Sequence, residues 1–285
     1  MYVGQKGFLV AIRILSALVG ILIGLAVLFV DNLYVYCLVL AFVGAVGVYE
    51  IIRAVKREKH KALTALSVCF AFVVPFFLNI DFLRKYIPVL YILYGMGLFL
   101  VQLICFKDIR TSDLALCGGA GVVIPFSLSC LLFVRYLPEN SLLGISLVFF
   151  MLFCAWFGDS GAYFAGTFFG KHKLCPEISP KKTVEGFVGG IITVGIVAFI
   201  HCFVFNTFFA DGATMSYLLY VPVGMAACVA GVFGDLSASI IKRKYSVKDF
   251  GNIMPGHGGV LDRFDSVLFV APFIYMVFSF LNPQM

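Results

Sequence analysis

Residues 14–30 read "ILSALVGILIGLAVLFV", a run whose only polar side chain is the hydroxyl of Ser16. With Lys6 and Arg13 in front of it, the run could pass for a secretory leader. Its apolar stretch is long, however, and no A-x-A cleavage site accompanies it, so a retained first membrane span is expected.

Runs of this kind recur along the chain. Of 285 residues, 62% are hydrophobic and only 13% charged, and 32 are phenylalanine, which leaves too little polar surface to face water. A hydrocarbon core of about 30 Å is crossed by roughly 20 helical residues. On that scale the sequence predicts nine spans, near 8–30, 33–51, 62–80, 87–105, 114–134, 142–168, 184–209, 217–241 and 262–281, with the sixth open to a break. Backbone groups in lipid must pair within their own segment, so helices are expected, and the alternation of a membrane barrel is absent. The fold class that follows is an all-α polytopic membrane protein, a single integral domain over 1–285. Residues 1–110 read mainly as scaffold. Residues 150–270, with loops 170–183 and 242–262, hold most of the chemistry-bearing side chains.

The nine cysteines are scattered, with no C-x-x-C pair and no His/Cys cluster, so small apolar packing residues are expected rather than zinc ligands or disulfides. Cytoplasmic loops are enriched in lysine and arginine. With nine spans, 18 of the 21 lysines and arginines fall on one side, and only Arg84, Lys85 and Arg135 on the other. The N-terminus is therefore expected in the cytoplasm and the C-terminus outside. Contact with anionic headgroups accounts for the cluster from Arg53 to Lys61. Glu50 and Arg53, one turn apart at the same boundary, read as an ordinary ion pair.

Two later segments mix charge with glycine, proline and hydroxyls. The first is "WFGDSGAYFAGTFFGKHKLCPEISPKKTVEGFVGG", residues 156–190. Asp159 lies well inside the sixth span, where an ionised carboxylate costs at least about 2.5–3.5 kcal/mol, so it is expected to face a cavity, a cation or a partner. Tyr163, four residues on, shares its helical face. Gly158, Gly161, Gly166 and Gly170, answered by Gly186 and Gly190 in the next span, form small-residue seams for close helix packing. Such seams could be buried between protomers as easily as within one, which leaves a homodimer open. Lys171, His172, Lys173, Lys181 and Lys182 flank a loop ending at Thr183, a candidate helix cap, and this arrangement suits phosphates.

The second segment is "GDLSASIIKRKYSVKDFGNIMPGHGGVLDRFDS", residues 234–266. Asp235, Ser239 and Lys242 make one stripe of the eighth span, and Asp262 and Asp265 share a face at the start of the ninth. Mg²⁺ takes a carboxylate or two together with substrate phosphates and water. Two carboxylates one turn apart, a third on a neighbouring helix and nearby lysine and arginine supply the parts for a metal-plus-phosphate site. Gly256, Gly258 and Gly259 let the backbone approach a ligand. Neither a Walker A sequence nor a Rossmann context is present.

At this density the residues become specific. Ser239, Lys242, Arg243, Lys248, Asp249, Pro255, Gly256, His257, Gly258, Gly259, Asp262, Arg263 and Asp265 resemble the signature of the phosphatidate cytidylyltransferases, also called CDP-diacylglycerol synthases. Trp156, Asp159, Ala162, Tyr163, Gly170, Lys171, Ser179, Pro180, Lys181, Lys182, Glu185 and Gly186 resemble that family's other recurring segment. In one place the chain departs from the pattern: the family usually has glutamate before the serine of its "GDLxES" run, where this sequence has Ala238.

The resemblance implies transfer of cytidylyl from CTP to phosphatidic acid, giving CDP-diacylglycerol and pyrophosphate for phospholipid biosynthesis. It implies Mg²⁺, with room for a second cation, held by Asp235, Asp262 and Asp265. Asp159 and Lys242 join Asp235 and Asp262 as expected catalytic residues. Lys181, Lys182, Arg243 and Lys248 are expected on phosphates, with Ser239, Asp249, His257, Gly258, Gly259 and Arg263 completing the substrate contacts. Both loops fall on the expected cytoplasmic side, where CTP is found, in the inner or plasma membrane of a bacterium. Two alternatives stand beside this reading. A secondary transporter coupled through Asp159 and Asp235 would show inverted repeats, and no convincing internal repeat is present. A CTP-dependent polyprenol kinase would release CDP instead of pyrophosphate.

Overall fold

The computed structural model describes residues 20, 22, 24, 26–56, 60–210, 212–254 and 258–281. Among them, eight helices are long and apolar enough to cross a membrane, so the protein is an all-α polytopic membrane protein. The first expected span, 8–30, lies largely outside the described residues. Seven of the other eight expected spans each meet one helix, and the last meets the interrupted stretch Leu261–Leu281, all with ends that differ by three residues or fewer. In chain order the elements are α1 (Leu33–Ala54), α2 (Lys61–Asn79), α3 (Asp81–Arg84), α4 (Ile87–Ile104), α5 (Thr111–Arg135), α6 (Ser141–Phe169), β1 (Lys173–Cys175), β2 (Ser179–Thr183), α7 (Val184–Phe208), α8 (Tyr217–Lys244), α9 (Leu261–Phe264) and α10 (Val267–Leu281).

Two expectations are corrected. The sixth span is one unbroken helix, α6. The interruption falls in the last span, where Asp265 and Ser266 separate α9 from α10. Here the Ser266 N–H donates to Asp265 Oδ1 at 2.9 Å, while the Ser266 carbonyl accepts from Phe269 and Val270 and so starts α10. Asp262 and Asp265 therefore do not share the face of one helix.

The chain forms two compact units, Met1–Ser129 with Lys244–Phe264, and Cys130–Arg243 with Asp265–Met285. In the first, α1 packs along α2 and α2 against α4. Asn32 caps α1, its side chain accepting from the N–H groups of Tyr34 and Val35 at 2.9 and 3.3 Å. Pro75 interrupts the hydrogen-bond ladder of α2, and its carbonyl accepts from Asn79 Nδ2 at 2.8 Å. Tyr94 of α4 stacks on Phe70 of α2, with ring centroids 3.8 Å apart, and its buried hydroxyl reaches Ser67 Oγ at 3.1 Å.

In the second unit α6 and α7 form the closest pair, and their glycines are the reason. A Cβ on Gly186 would stand 2.6 Å from the Ala162 carbonyl oxygen, and one on Gly190 would stand 2.9 Å from that of Gly158. The seam is therefore filled within one chain, backbone against backbone, as small-residue packing in membranes requires. The expected loop 170–183 is a short antiparallel hairpin, with Lys173 opposite Thr183 and Cys175 opposite Ser179. All nine cysteines are unpaired and six are buried, in keeping with a packing role.

Candidate active site

The second unit gathers charge from α6, the hairpin, α8 and the start of α10. Lys182, on β2, is carried to the site by the hairpin, which is anchored at both ends. Thr183 Oγ1 accepts the Gly186 N–H at 3.1 Å and caps α7, as its position predicts. Glu185, in the first turn of α7, accepts the backbone N–H groups of Lys171 and His172 at 3.1 and 3.2 Å, and pairs with His172 Nδ1 at 2.6 Å. Arg243, at the far end of α8, donates through Nε to the Ile178 carbonyl at 3.2 Å and holds the hairpin turn. Lys181, its neighbour on β2, is exposed.

Lys182 Nζ lies 2.5 Å from Asp235 Oδ2, with both side chains about a quarter exposed, at 23% and 26%. The contact is an ion pair without hydrogen-bond geometry, and the ammonium has no hydrogen-bond partner among the described residues. Ser239, one turn along α8, donates to Asp235 Oδ1 at 3.5 Å, so the predicted stripe forms. Asp159 of α6 accepts from Ser266 Oγ at 2.9 Å. Asp265, next to Ser266, stands within reach of the like charges of Asp235 and Asp159 and of the opposite charge of Lys242. Asp265 thus has two further carboxyl groups and Lys242 within electrostatic reach, and Lys182 pairs with one of those carboxylates, Asp235. Among the described residues, no group of three or more His, Cys, Asp or Glu side chains is close enough to hold a metal ion unaided. Mg²⁺ characteristically takes one or two carboxylates and completes its shell with phosphate and water, so this donor set fits it.

The first unit holds the remaining predicted residues on the stretch after α8. Tyr245 donates to Asp113 Oδ1 of α5 at 2.7 Å, where the loop begins. Lys248, Asp249 and Arg263 are exposed. Gly258 adopts φ +86°, a conformation glycine tolerates and side-chain-bearing residues rarely do, and a Cβ there would meet Asp262 Oδ2 at 3.2 Å. Asp262 Oδ2 accepts the N–H groups of Phe250 and Gly259 at 2.9 and 3.0 Å, bracing the two ends of the loop against each other. The Gly259 amide, expected to face nucleotide, is thus bonded to Asp262. Pro255, Gly256 and His257 lie outside the described residues.

Of the expected metal set, the structure draws Asp235 and Asp265 together with Asp159, and places Asp262 in the other compact unit as a loop brace. Sequence reasoning missed Ser266, which only the break between α9 and α10 brings to Asp159. It also stopped short at Glu50, which feels the charge of Arg53 as its spacing predicts but whose carboxylate in addition bonds the backbone of Val260 and Leu261. The signal was available, since Glu50 is an acid in a 22-residue apolar helix, the same rule that singled out Asp159. Along α6 and α7 runs an apolar groove of about 950 Å³, lined by Phe157, Phe164, Phe168, Val188 and Ile192, with Glu185 at its polar edge.

The membrane-length helices make this an integral membrane protein, and its charged side chains gather in a candidate site beside a lysine-bearing hairpin. Residues 11–281 match the cytidylyltransferase family, and the chain belongs to it. It is 34% identical over 273 residues to the phosphatidate cytidylyltransferase of Bacillus subtilis (strain 168), covering 94% of this chain and 97% of that protein. It is likewise 34% identical over 225 residues to the protein of that name from Rickettsia bellii (strain RML369-C), covering 78% and 93%. The Haemophilus influenzae phosphatidate cytidylyltransferase is 39% identical over 160 residues, 55% of this chain and 54% of that one.

Proposed function

We propose that the protein transfers the cytidylyl group of CTP to phosphatidic acid, releasing pyrophosphate and forming CDP-diacylglycerol. The observation that carries this reading is the near full-length relationship to a phosphatidate cytidylyltransferase, over 94% of the chain. The chemistry of the second unit is consistent with it. An oxygen of the phosphatidate phosphate attacks the α-phosphorus of CTP, a P–O bond forms there, and the bond to the bridging oxygen breaks as pyrophosphate leaves. The nucleophile is already anionic and needs little help from a base. The difficulty is bringing two polyanions together and stabilising the leaving group, which calls for fixed positive charge.

Lys182 is placed for that task, because its ammonium has a charge partner but no hydrogen-bond acceptor, and a phosphate oxygen would supply one. Lys181 and Arg243 would extend the phosphate contacts, and Lys242 acts on the same carboxylates. Asp235 and Asp265 would hold Mg²⁺, with Asp159 supporting them through Ser266. Bound there, the cation would screen the phosphates from the carboxylates and neutralise the departing pyrophosphate. The groove along α6 and α7 offers acyl chains a lateral path. The bias of lysine and arginine supports a cytoplasmic position for both loops, in a bacterial membrane, where CTP is available.

The test is incubation of purified protein with labelled CTP, phosphatidate and Mg²⁺, run in parallel with Ala238→Glu. Labelled lipid and pyrophosphate are expected. Release of CDP, or no pyrophosphate from either form, would overturn the reading.

A further inference from the structure

Glu50 is 1% exposed in α1, one of the scaffold helices. Its two carboxylate oxygens each accept one backbone N–H at the end of the signature loop, Oε1 from Val260 at 3.0 Å and Oε2 from Leu261 at 2.8 Å. Leu261 opens α9, so these amides belong to the group that a helix start leaves without an intrahelical acceptor. Bonds to an ionised carboxylate are the stronger kind. The loop is also shaped around this side chain. A Cβ on Gly259 would stand 2.6 Å from both carboxylate oxygens, and one on Gly251 would overlap Oε1. Only glycine lets the loop backbone close on the carboxylate at these two points.

The three residues at this clasp, Gly259, Val260 and Leu261, lead directly into Asp262, which in turn braces Gly259 and Phe250. A shift of the clasp therefore moves Asp262 and the short stretch carrying Lys248 and Asp249. Resting on the cytidylyltransferase reading above, we propose that Glu50 is a positioning residue of the reaction. It does not touch substrate; it fixes the backbone of Gly259–Leu261, and through it the loop that receives the nucleotide phosphates.

Glu50→Gln keeps the size of the side chain but turns an amide donor toward one of the two backbone donors. In the full-length protein it is expected to raise KM for CTP roughly tenfold or more, the scale of one lost hydrogen bond to a charged group, while KM for phosphatidate stays unchanged. Hydrogen exchange at Val260 and Leu261 accelerates in the same variant. A merely structural role would lower the folded fraction and leave both KM values alone. Gly259→Ala, whose methyl group meets the intact carboxylate, is expected to reproduce the KM shift. A folded Glu50→Gln protein with wild-type KM for CTP would overturn the proposal. So would unprotected Val260 and Leu261 amides in the wild-type protein, a measurement that stands even where both variants fail to fold. Wild-type protein that makes no CDP-diacylglycerol would instead overturn the functional reading, and the exchange measurement would still decide whether Glu50 holds the loop.

Discussion

Replacing Asp235 with asparagine separates the two roles that the Lys182–Asp235 pair combines. The substitution keeps the shape of the side chain and removes its charge, leaving the Lys182 ammonium, which is 2.5 Å away in the wild type, without its nearest counter-charge. Breaking a fully buried pair in this way costs about 3–5 kcal/mol, whereas an exposed pair contributes under about 1 kcal/mol. With side chains 23% and 26% exposed, the pair falls between these limits, and a loss of about 1–3 kcal/mol is expected. Removing the orphaned ammonium as well, in Asp235→Asn with Lys182→Met, should recover most of that loss, because two groups of matching size then meet without an unpaired charge. Activity should not return, since both the carboxylate proposed for the metal and the proposed phosphate donor are gone. Thermal unfolding of the purified protein reads the first effect, at roughly 2–4 °C per kcal/mol for chains approaching this length. Formation of CDP-diacylglycerol reads the second. A double variant no more stable than Asp235→Asn alone would refute the pairing argument, and a double variant with wild-type turnover would refute the site.

Gly186→Ala should destabilise the protein by about 1–3 kcal/mol, the usual range for overpacking, because its methyl group would meet the Ala162 carbonyl at 2.6 Å, and backbone cannot rotate aside. A melting temperature equal to the wild type would count against the seam. Thr183→Ala should cost about 1 kcal/mol by removing the cap of α7, and Thr183→Ser, which keeps the hydroxyl, should retain most of the stability. Chelation of divalent cations should abolish cytidylyl transfer and added Mg²⁺ should restore it; full activity in excess chelator would remove the metal from the site. In sealed vesicles, CTP supplied only to the face that exposes Lys171–Lys182 should be consumed, and consumption from the opposite face alone would reverse the orientation.

The spans were legible because hydropathy in lipid is a one-variable problem: a run either is or is not long enough to cross, and among the described residues seven runs became single helices and an eighth a helix interrupted once. Thr183 was legible for a different reason, since a cap is a local device whose residue type and position state its role. What escaped was set by contacts distant in sequence. Asp262 and Asp265 look equivalent at a spacing of three, yet one braces Phe250 and the other sits among Asp235, Asp159 and Lys242. The break that parts them depends on Asp265 bonding its own neighbour's amide, and nothing in the run "LDRFDSVLF" marks that choice. Glu50 interacts with Arg53 as spacing predicts, but its hydrogen-bond partners are 210 and 211 residues away.

The glycines of α6 and α7 bear on the chemistry as well as on packing. Lys182 is two residues from the start of α7, and Thr183 and Glu185 fix the hairpin to that helix through its first turn. Wherever α7 lies against α6, Lys182 must follow. Asp159 rides on α6 itself, one residue from Gly158, whose carbonyl is the surface that Gly190 approaches. Larger residues along the seam would push the two helices apart by the width of a methyl group or more. The Lys182–Asp235 ion pair, which joins the hairpin to α8 at 2.5 Å, has little tolerance for that displacement. Close backbone contact between α6 and α7 therefore helps to fix where the hairpin carries Lys182, which is why a stretch that reads as packing in the sequence bears on the charges beside it.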